Sequence, residues 1–307
     1  MNGGGRMSHG LKLDKHKIYL YLLPGVLWYA VILFVPILLA LYYGFFDWNG
    51  GVNKTFIGIK NFVDVLQDKI FIKSLLNNIY LVAVCLIFQI GLAFIFATFL
   101  GSRHVKFKGF HRTMCYFPSV LSAVIVGFIW NLIYNYEYGL LNAVLKMVGL
   151  ESKVQPWLNN PKIIMLLVAI PIIWQFIGYY MVIMLSGMSS IDPQVLEMAE
   201  IDGAVGWKKA LYITVPLIKN TLIVCITLCI AGNMKAFDII YAMTSGGPGY
   251  SSSVMAMYAY NTSFMSYKMG YGSAMSIVIL IVSLIFILGT QVPLNRLAGG
   301  KNEDEKK

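Results

Sequence analysis

Six long apolar runs, separated by shorter polar segments, organise the chain. They lie at about 18–46, 75–100, 113–134, 161–186, 217–240 and 273–295. A helix that crosses a bilayer needs roughly 20 mostly apolar residues, and each run reaches that length. A β-barrel would instead show alternating segments of about 10 residues. The pattern predicts an all-α integral membrane protein with six transmembrane helices in a domain at 18–295, flanked by cytoplasmic tails at 1–17 and 296–307.

Composition and charge support this class and give it an orientation. The 307 residues are 58% hydrophobic and 12% charged, whereas soluble domains are about a quarter charged. With the N-terminus inside, the cytoplasmic segments hold 15 lysines and arginines and the external segments hold 8. This excess on the cytoplasmic side agrees with the positive-inside rule. We therefore expect a multi-pass protein of the cell (inner) membrane with both termini cytoplasmic. Nucleic acid is not an expected partner, because no basic run is interleaved with aromatics on a soluble domain.

Sequence motifs for enzymatic chemistry are absent. The chain has no G-x-x-x-x-G-K-[ST] phosphate loop, so we do not expect it to hydrolyse ATP. Its four histidines lie in predicted cytoplasmic segments, and its four cysteines lie within or at the edge of spans. Neither set has the spacing of a zinc site or a disulfide framework. The chain is predicted not to be an enzyme and to carry no cofactor or metal.

The polar stretch 191–216 stands out between the fourth and fifth apolar runs. Asp192 can cap a helix that begins at Pro193, where a missing N–H costs nothing. Gly203 can end that helix in the left-handed conformation, and Pro216 closes a second short helix. The stretch therefore predicts a helix, a glycine turn and a helix on the membrane surface. The apolar positions assigned to one face of each helix are Val195, Met198 and Ala199, and then Trp207, Leu211 and Ile213.

A fixed spacing of residues runs through the same stretch. Glu197 is followed by Ala199, by Gly203 six positions after the glutamate, and by I-x-V-P at 213–216. This spacing resembles the EAA loop of ABC-importer permeases, whose pattern is E-A-A, three residues, G, nine residues, I-x-L-P. Met198 replaces the first alanine and Val215 replaces the leucine, and both substitutions keep an apolar side chain.

Three further strings resemble the carbohydrate branch of these permeases, of the maltose-transporter type. The first is F-x-G-x-x-N-F at 56–62, and the second is G-L-L-N at 139–142. The third combines Phe237-Asp238 with M-T-S-G-G-P at 243–248. The resemblance covers about residues 17–295, nearly the whole chain.

The resemblance implies a type I ABC importer permease fold and an ATP-driven transport function. The solute is expected to be a mono- or oligosaccharide, moved by alternating access. The implied partners are a cytoplasmic ABC ATPase dimer, a second homologous permease subunit, an extracytoplasmic solute-binding protein and membrane lipid. The residues implied to couple the permease to the ATPase are Glu197, Ala199, Asp202, Gly203, Ala204 and Pro216.

Polar and aromatic residues inside or near the spans are candidates for a translocation pathway. Polar groups are costly in lipid, so their presence within spans is a functional hypothesis by default. Amides could hydrogen-bond a polyhydroxylated ligand, aromatic rings could pack on sugar C–H groups, and Lys235 could pair with Asp238 at i+3 on one helix face. Each residue could equally have a structural role, as an interhelical hydrogen-bonding group, a member of an ion pair or an anchor at the membrane interface. The candidates are Trp130, Asn131, Trp174, Gln175, Tyr179, Tyr180, Asn233, Lys235 and Asp238.

Two alternative functions remain open from the sequence. One is an ABC permease for another solute, such as a glycerol-phosphate ester, for which extra arginines lining the spans would be expected. The other is an ion-coupled secondary transporter, which would need buried carboxylates in mid-span and usually has inverted repeats. Asp238 is the only acidic residue near a span interior, and no repeat is apparent.

Overall fold

Apolar helices dominate the residues that the structure, a computed structural model, describes, which are 15–102 and 105–299. Within these ranges, the strands form one antiparallel hairpin of β1 (Phe46–Trp48) and β2 (Lys54–Phe56). The α-helices are α1 (Lys15–Gly44), α2 (Lys60–Gln67), α3 (Lys69–Cys85), α4 (Gly91–Gly101), α5 (Lys108–Tyr116), α6 (Ala123–Ile133), α7 (Leu140–Met147), α8 (Ile164–Ser189), α9 (Pro193–Ile201), α10 (Trp207–Lys209), α11 (Val215–Leu217), α12 (Lys219–Met234), α13 (Asp238–Thr244), α14 (Met255–Tyr260) and α15 (Met269–Gly299). Wider π-helical turns lie at Leu86–Ile90, Ala210–Thr214 and Asn261–Met265, and 3₁₀ turns lie at Phe117–Val120, Glu151–Lys153 and Trp157–Asn159.

Four of the predicted spans are continuous helices and two are bent pairs. The continuous ones are long and apolar enough to cross a membrane at Tyr19–Gly44, Lys69–Gly101, Ile164–Ser189 and Met269–Leu294. The bent pairs are α5 with its 3₁₀ turn and α6, and the 207–217 helix with α12. Counting each pair as one span gives six, so the predicted all-α membrane fold is confirmed.

The ends of the first and last spans differ from the predicted boundaries. The helix α1 begins at Lys15, inside the predicted tail 1–17, and α15 continues to Gly299, beyond the predicted end at 295. Helical hydrogen bonding continues after the apolar run ends, because backbone partners are supplied within the helix whether or not lipid surrounds it. The rest of the predicted tails, residues 1–14 and 300–307, lies outside the described residues.

Span 3 is broken where the sequence predicted one helix at 113–134. Its halves, Lys108–Val120 and Ala123–Ile133, meet at 95°. Pro118 lies in the 3₁₀ turn before the break, and Ser122 is extended. The carbonyl of Leu121 at the break accepts a hydrogen bond from Gln175 Nε2 of α8 at 2.9 Å. A break at membrane depth is tolerated because a neighbouring span satisfies the freed backbone group.

Span 5 is broken in a similar way, and its ends also differ from the prediction. The 207–217 helix meets α12 at 81°. Pro216 does not close the surface helix, as the sequence predicted, since helix continues through α11 to Leu217 and the change of direction falls at Ile218. Pro216 lies in the last turn of this helix, where its missing N–H removes one backbone hydrogen bond and bends the helix without ending it at that residue. The apolar run predicted at 217–240 ends as α12 at Met234, and α13 starts separately at Asp238.

The helix α8 forms the centre of the packed core. It contacts α3, α4, α5, α12 and α13, and half of the residues in its most apolar stretch are buried. Gln89 of span 2 donates from Nε2 to the carbonyl of Ile172 at 2.9 Å and accepts from Cys229 Sγ of span 5. Gln89 therefore links span 2 to spans 4 and 5 by interhelical hydrogen bonds.

The loop after α13 is held to the start of span 2 by polar side chains. Asn78 is fully buried, and its Nδ2 donates to the carbonyls of Asn233 (3.0 Å) and Met234 (3.2 Å). Its Oδ1 accepts from Met255 N at 2.8 Å. One amide thus satisfies the last carbonyls of α12 and the first N–H of α14, groups that a helix leaves without internal partners.

The neighbours of Asn78 extend this contact. Asn77 Nδ2 lies within hydrogen-bond distance of three carbonyls between Tyr250 and Ser253, and Ser74 Oγ donates to Ser253 Oγ. Asp68 Oδ2 accepts from the hydroxyls of Tyr258 (2.7 Å) and Tyr271 (2.9 Å). We call this set the anchoring network; its members are Asp68, Ser74, Asn77, Asn78 and the groups of 233–271 that they bind.

Asp68 is the ionised member of the anchoring network. Burial by itself would raise the pKa of its carboxyl, but hydrogen bonds from Tyr258, Ile70 N, Tyr271 and Phe71 N together hold that pKa below its usual value. The same contact raises the pKa of Tyr258, together with burial of that ring. The carboxylate therefore stays charged where three segments of the chain meet.

Candidate functional site: a surface loop and a cavity between the spans

The surface stretch 191–216 starts as the sequence predicts. Asp192 caps α9, since its Oδ1 accepts from Gln194 N at 2.9 Å. After α9 the backbone reverses at Gly203, which has φ +82°, and Ala204 N donates to the carbonyl of Ala199 at 2.8 Å. A side chain at Gly203 would be strained in this conformation. The predicted helix and glycine turn are therefore confirmed.

The predicted apolar face of α9 is not buried. Ala199 is buried, but Val195 is half-exposed and Met198 is 66% exposed. Ile201, on the same helix, is 85% exposed. α9 projects from the bundle and packs on α10, so most of the predicted apolar face is left uncovered by the described part of the chain. Glu197 and Asp202 are also exposed, so an apolar and acidic surface faces outward.

The second helix of the loop also buries a different face from the predicted one. Trp207 and Leu211 are more than half exposed, whereas Ala210, Thr214 and Ile218 are buried at a spacing of four residues. Residues four apart lie on one side of a helical turn of either width, so the buried stripe runs through Ala210, Thr214 and Ile218, and Trp207 and Leu211 lie beside it. An ion pair between Glu200 and Lys209 joins α9 to this second helix at 2.5 Å.

The base of the loop is closely packed against the spans. A β-carbon built at Gly187 of α8 would lie 2.5 Å from Thr221 Oγ1 of α12. Glycine therefore lets these two helices approach where the loop leaves one and reaches the other. Only residues 190–192 separate α8 from α9, and this short connection leaves little slack between the loop and span 4.

A cavity of about 350 Å³ lies between spans 2, 4 and 5. We call it the span cavity. It collects five of the nine predicted pathway residues: Gln175, Tyr180, Asn233, Lys235 and Asp238. Sequence reasoning missed the other lining residues, among them Gln89, Phe176 and Phe237. Gln89 makes interhelical hydrogen bonds and also lines the cavity.

The amides that line the span cavity are partly used by the fold. Asn233 Nδ2 donates to the carbonyl of Cys229 one turn earlier at 2.8 Å. Gln175 Nε2 is bonded at the break of span 3, but its buried Oε1 has no protein partner in the described part of the chain. A buried acceptor without a partner is costly unless water or a ligand supplies a donor.

The predicted helical pairing of Lys235 with Asp238 is wrong. α12 ends at Met234 and α13 begins at Asp238, so the two residues do not share a helix face. Within the described ranges, no ion pair joins them. Both side chains instead belong to the wall of the span cavity, where one positive and one negative group are separately available.

The four remaining pathway candidates lie outside the span cavity. Trp130 and Trp174 meet edge to face, with ring centroids 6.1 Å apart, and Tyr179 contacts the ring of Tyr180 at 5.2 Å. Asn131 Nδ2 donates to the carbonyl of Met243 at 2.9 Å and lines a second cavity. The structure thus divides the predicted group between an aromatic cluster and two cavities.

The described residues thus form a multi-pass helical fold with two broken spans, a structured surface loop, and a cavity that places a few polar and charged side chains among apolar ones. The chain belongs to the family of binding-protein-dependent transport system inner membrane components, whose model matches residues 89–293. It is therefore a permease, a transmembrane transport component and not an enzyme, as predicted.

Individual relatives match over most of the chain. A probable ABC transporter permease protein, YurN of Bacillus subtilis, is 32% identical over 280 residues, covering 90% of this chain and 96% of YurN. The diacetylchitobiose uptake system permease protein NgcF of Streptomyces coelicolor is 30% identical, covering 99% of this chain and 90% of NgcF. A chain in the crystal structure of a bacterial alginate ABC transporter, in complex with alginate pentasaccharide-bound periplasmic protein, has the same fold. It superposes with a TM-score of 0.80 at 23% identity, covering 92% of this chain and 94% of the other.

Proposed function

We propose that the chain is a permease subunit of an ATP-driven importer for a mono- or oligosaccharide. The observation that carries this proposal is the exposed loop 191–216, which is structured but buries few of its apolar side chains. Met198 and Ile201 would be poorly placed as lone surface groups, and together they provide an apolar patch that a protein partner can cover.

The proposed partner of the loop is a cytoplasmic ABC ATPase, present as a dimer. Its groove would take the apolar side of α9, and basic groups on it would donate charge-assisted hydrogen bonds to Glu197 or Asp202. Gly203 and Ala204 would set the turn that fixes the angle of α9, and Ala199 would anchor its buried side. Pro216 would lie at the transition into span 5 rather than at the docking surface.

Alternating access is the proposed mechanism. Closure of the ATPase dimer would displace α9, and the short connection at 190–192 would pass that displacement to span 4. The close contact of Gly187 with Thr221 supports joint movement of spans 4 and 5, both of which line the span cavity. A second homologous permease would complete the pathway, and a solute-binding protein would deliver the solute outside. Both termini of this chain would be cytoplasmic.

A saccharide is favoured over a phosphate ester as the solute. Among the described residues that line the span cavity, Lys235 is the cation and no arginine is present, whereas phosphate recognition favours arginine. The amides of Gln175 and Asn233 and the ring of Tyr180 suit hydroxyl groups and C–H faces. The relatives NgcF and AmyD are described as permeases for diacetylchitobiose and for starch degradation products. Membership of the permease family argues against an ion-coupled secondary transporter.

The test is a charge reversal in the loop. In cells that carry the complete transport system, Glu197→Lys should reduce solute uptake by about tenfold or more, because like charges in an interface cost several kcal/mol. Affinity purification of the tagged variant should recover less ATPase, while its membrane level stays unchanged.

Glu151→Lys is the matched control, since Glu151 is exposed in a connecting segment away from the loop. Unchanged uptake and unchanged ATPase recovery in Glu197→Lys would contradict the proposal. Recovery of the wild-type chain without any ATPase would contradict it more generally.

A further inference from the structure

A second cavity, of about 430 Å³, lies between the connecting segments at 134–159 and 243–248. We call it the loop cavity. Its volume is within the range of about 300–1,000 Å³ that is usual for small-molecule sites. It does not include the residues of the span cavity. The helix α13 lies between the two, because its first residues line the span cavity while Met243 and Thr244 at its end line the loop cavity.

One wall of the loop cavity is held in place by a buried amide. Asn142 of α7 is 1% exposed, and its Nδ2 donates to the carbonyls of Tyr136 (3.0 Å) and Gln155 (3.3 Å). Its Oδ1 accepts from Trp157 Nε1 at 2.7 Å. The amide therefore fixes two aromatic residues of the wall, Tyr136 and Trp157, relative to each other. This is also a physical role for the G-L-L-N string at 139–142.

The opposite wall is held in a similar way. Thr244 Oγ1 lies 2.8 Å from Ser252 Oγ, which also contacts the carbonyl of Gly247. Asn131 of α6 donates to the carbonyl of Met243. Both walls are thus formed before any ligand arrives, and such preorganisation lowers the entropy that binding must overcome.

The chemistry of the lining is neutral and hydrogen-bonding. The described residues that line the loop cavity include three asparagines, a threonine, two tyrosines, a tryptophan and two prolines, but no Asp, Glu, Lys, Arg or His. Asn135 Oδ1 accepts from the backbone N–H groups of Glu137 and Tyr138, which leaves its NH₂ group for a ligand. Asn159 is exposed, and its side-chain amide has no hydrogen-bond partner among the described residues.

We propose that the loop cavity binds one unit of a neutral saccharide, as a site separate from the span cavity. Amides and hydroxyls both donate to and accept from sugar hydroxyls, and Tyr136 with Trp157 offers apolar ring surface for C–H faces. The absence of charged groups disfavours phosphorylated or acidic sugars. The inference rests on the proposed function, which supplies the saccharide class and places the connecting segments outside the membrane.

The test is protection of an introduced thiol. Asn159→Cys is labelled from outside with a membrane-impermeant maleimide, in the complete transporter reconstituted without its binding protein. The native thiols of Cys85, Cys225 and Cys229 are buried, and the partly exposed Cys115 is replaced by serine in every variant. Maltotriose, diacetylchitobiose and glucose 6-phosphate are the probes. A neutral saccharide should slow labelling about tenfold at ten times its dissociation constant, and glucose 6-phosphate should not.

Tyr138→Cys is the matched control. Tyr138 is 69% exposed and lies in the turn that contains Tyr136, but it does not line the cavity. Its labelling should not change with any probe. A second variant, Tyr136→Ala, should remove the protection at Asn159→Cys, whereas Tyr138→Ala should keep it. Loss in both, or in neither, would overturn the proposal.

The remaining outcomes separate this inference from the proposed function. Transport is measured separately, after the binding protein has been added back. If a saccharide of the panel is transported there but does not protect Asn159→Cys in the labelling assay, the loop cavity site is overturned and the importer function stands. If the binding protein protects this thiol without any saccharide, the cavity is a protein contact and the site is overturned. If no saccharide is transported and none protects, both proposals fail.

Discussion

The surface loop 191–216 and the anchoring network are connecting regions built in opposite ways. The loop leaves Met198, Ile201 and Trp207 largely exposed and is joined internally by an exposed ion pair. The anchoring network has its polar groups at or below the surface, and Asn78 in it is completely buried. The difference separates a region in which the chain covers its own polar groups from a region whose apolar side chains the chain itself leaves uncovered.

Asn78→Ala should lower the stability of the folded chain more than the other substitutions described below. The change leaves two carbonyls and one N–H without their partner in a buried position, so we expect the free energy of unfolding to fall by about 3 kcal/mol. Thermal unfolding of the purified chain in detergent, followed by tryptophan fluorescence, measures the loss.

The neighbouring variant Asn77→Ala is the control for that experiment. Asn77 is half-buried, so water can replace part of its contacts and the loss should be about 1 kcal/mol. Equal losses in the two variants would show that burial does not distinguish the members of the network.

The next largest effect is the pH dependence of the stability that Asp68 gives to the anchoring network. The pKa of Asp68 is lower in the folded chain than its unfolded value of about 3.9. Its contribution to stability is therefore complete above that unfolded value and is lost as the pH falls through the folded value. Unfolding measured between pH 6 and 3 should show a steeper loss below about pH 4 in the wild type than in Asp68→Asn. Identical profiles would contradict this role.

Lys209→Gln should give the smallest change in stability and sharpen the comparison. The variant removes the ion pair with Glu200, which is an exposed pair worth less than about 1 kcal/mol. We expect no measurable shift in thermal unfolding, and a reduced coupling of ATP hydrolysis to uptake if the pair fixes the angle of α9. A shift as large as that of Asn78→Ala would mean that the loop is part of the stable core.

The sequence predicts the parts of this fold that depend on local pattern. Six apolar runs gave six spans, and Asp192, Pro193 and Gly203 gave the helix and turn of the loop, because caps and left-handed positions are local properties. The breaks at 121–122 and 218 were not predicted. They depend on partners from other spans, such as the amide of Gln175, and hydropathy cannot register a partner that is distant in sequence.

The site was predictable in its residue types more than in its arrangement. Gln175, Asn233, Lys235 and Asp238 line one cavity, but the predicted pairing of the two charges assumed a continuous helix through 235–238. The periodic pattern placed the apolar positions of α9 on one face, but such a pattern does not say what covers that face. The loop cavity was missed because its walls come from two connecting segments about 100 residues apart.

The π-helical turn at Leu86–Ile90 has a consequence for the rotational register of span 2. Such a turn holds one residue more than the regular helix on either side. The wide turn accommodates this residue locally, so the helices on either side keep their faces. Deleting one residue within the turn should restore an uninterrupted hydrogen-bond ladder and leave Asn78 facing Asn233. Deleting one residue within α3 instead would rotate the part of α3 before the deletion by about 100° relative to α4. Span 2 therefore tolerates a change of length in this turn and not in the regular helices beside it.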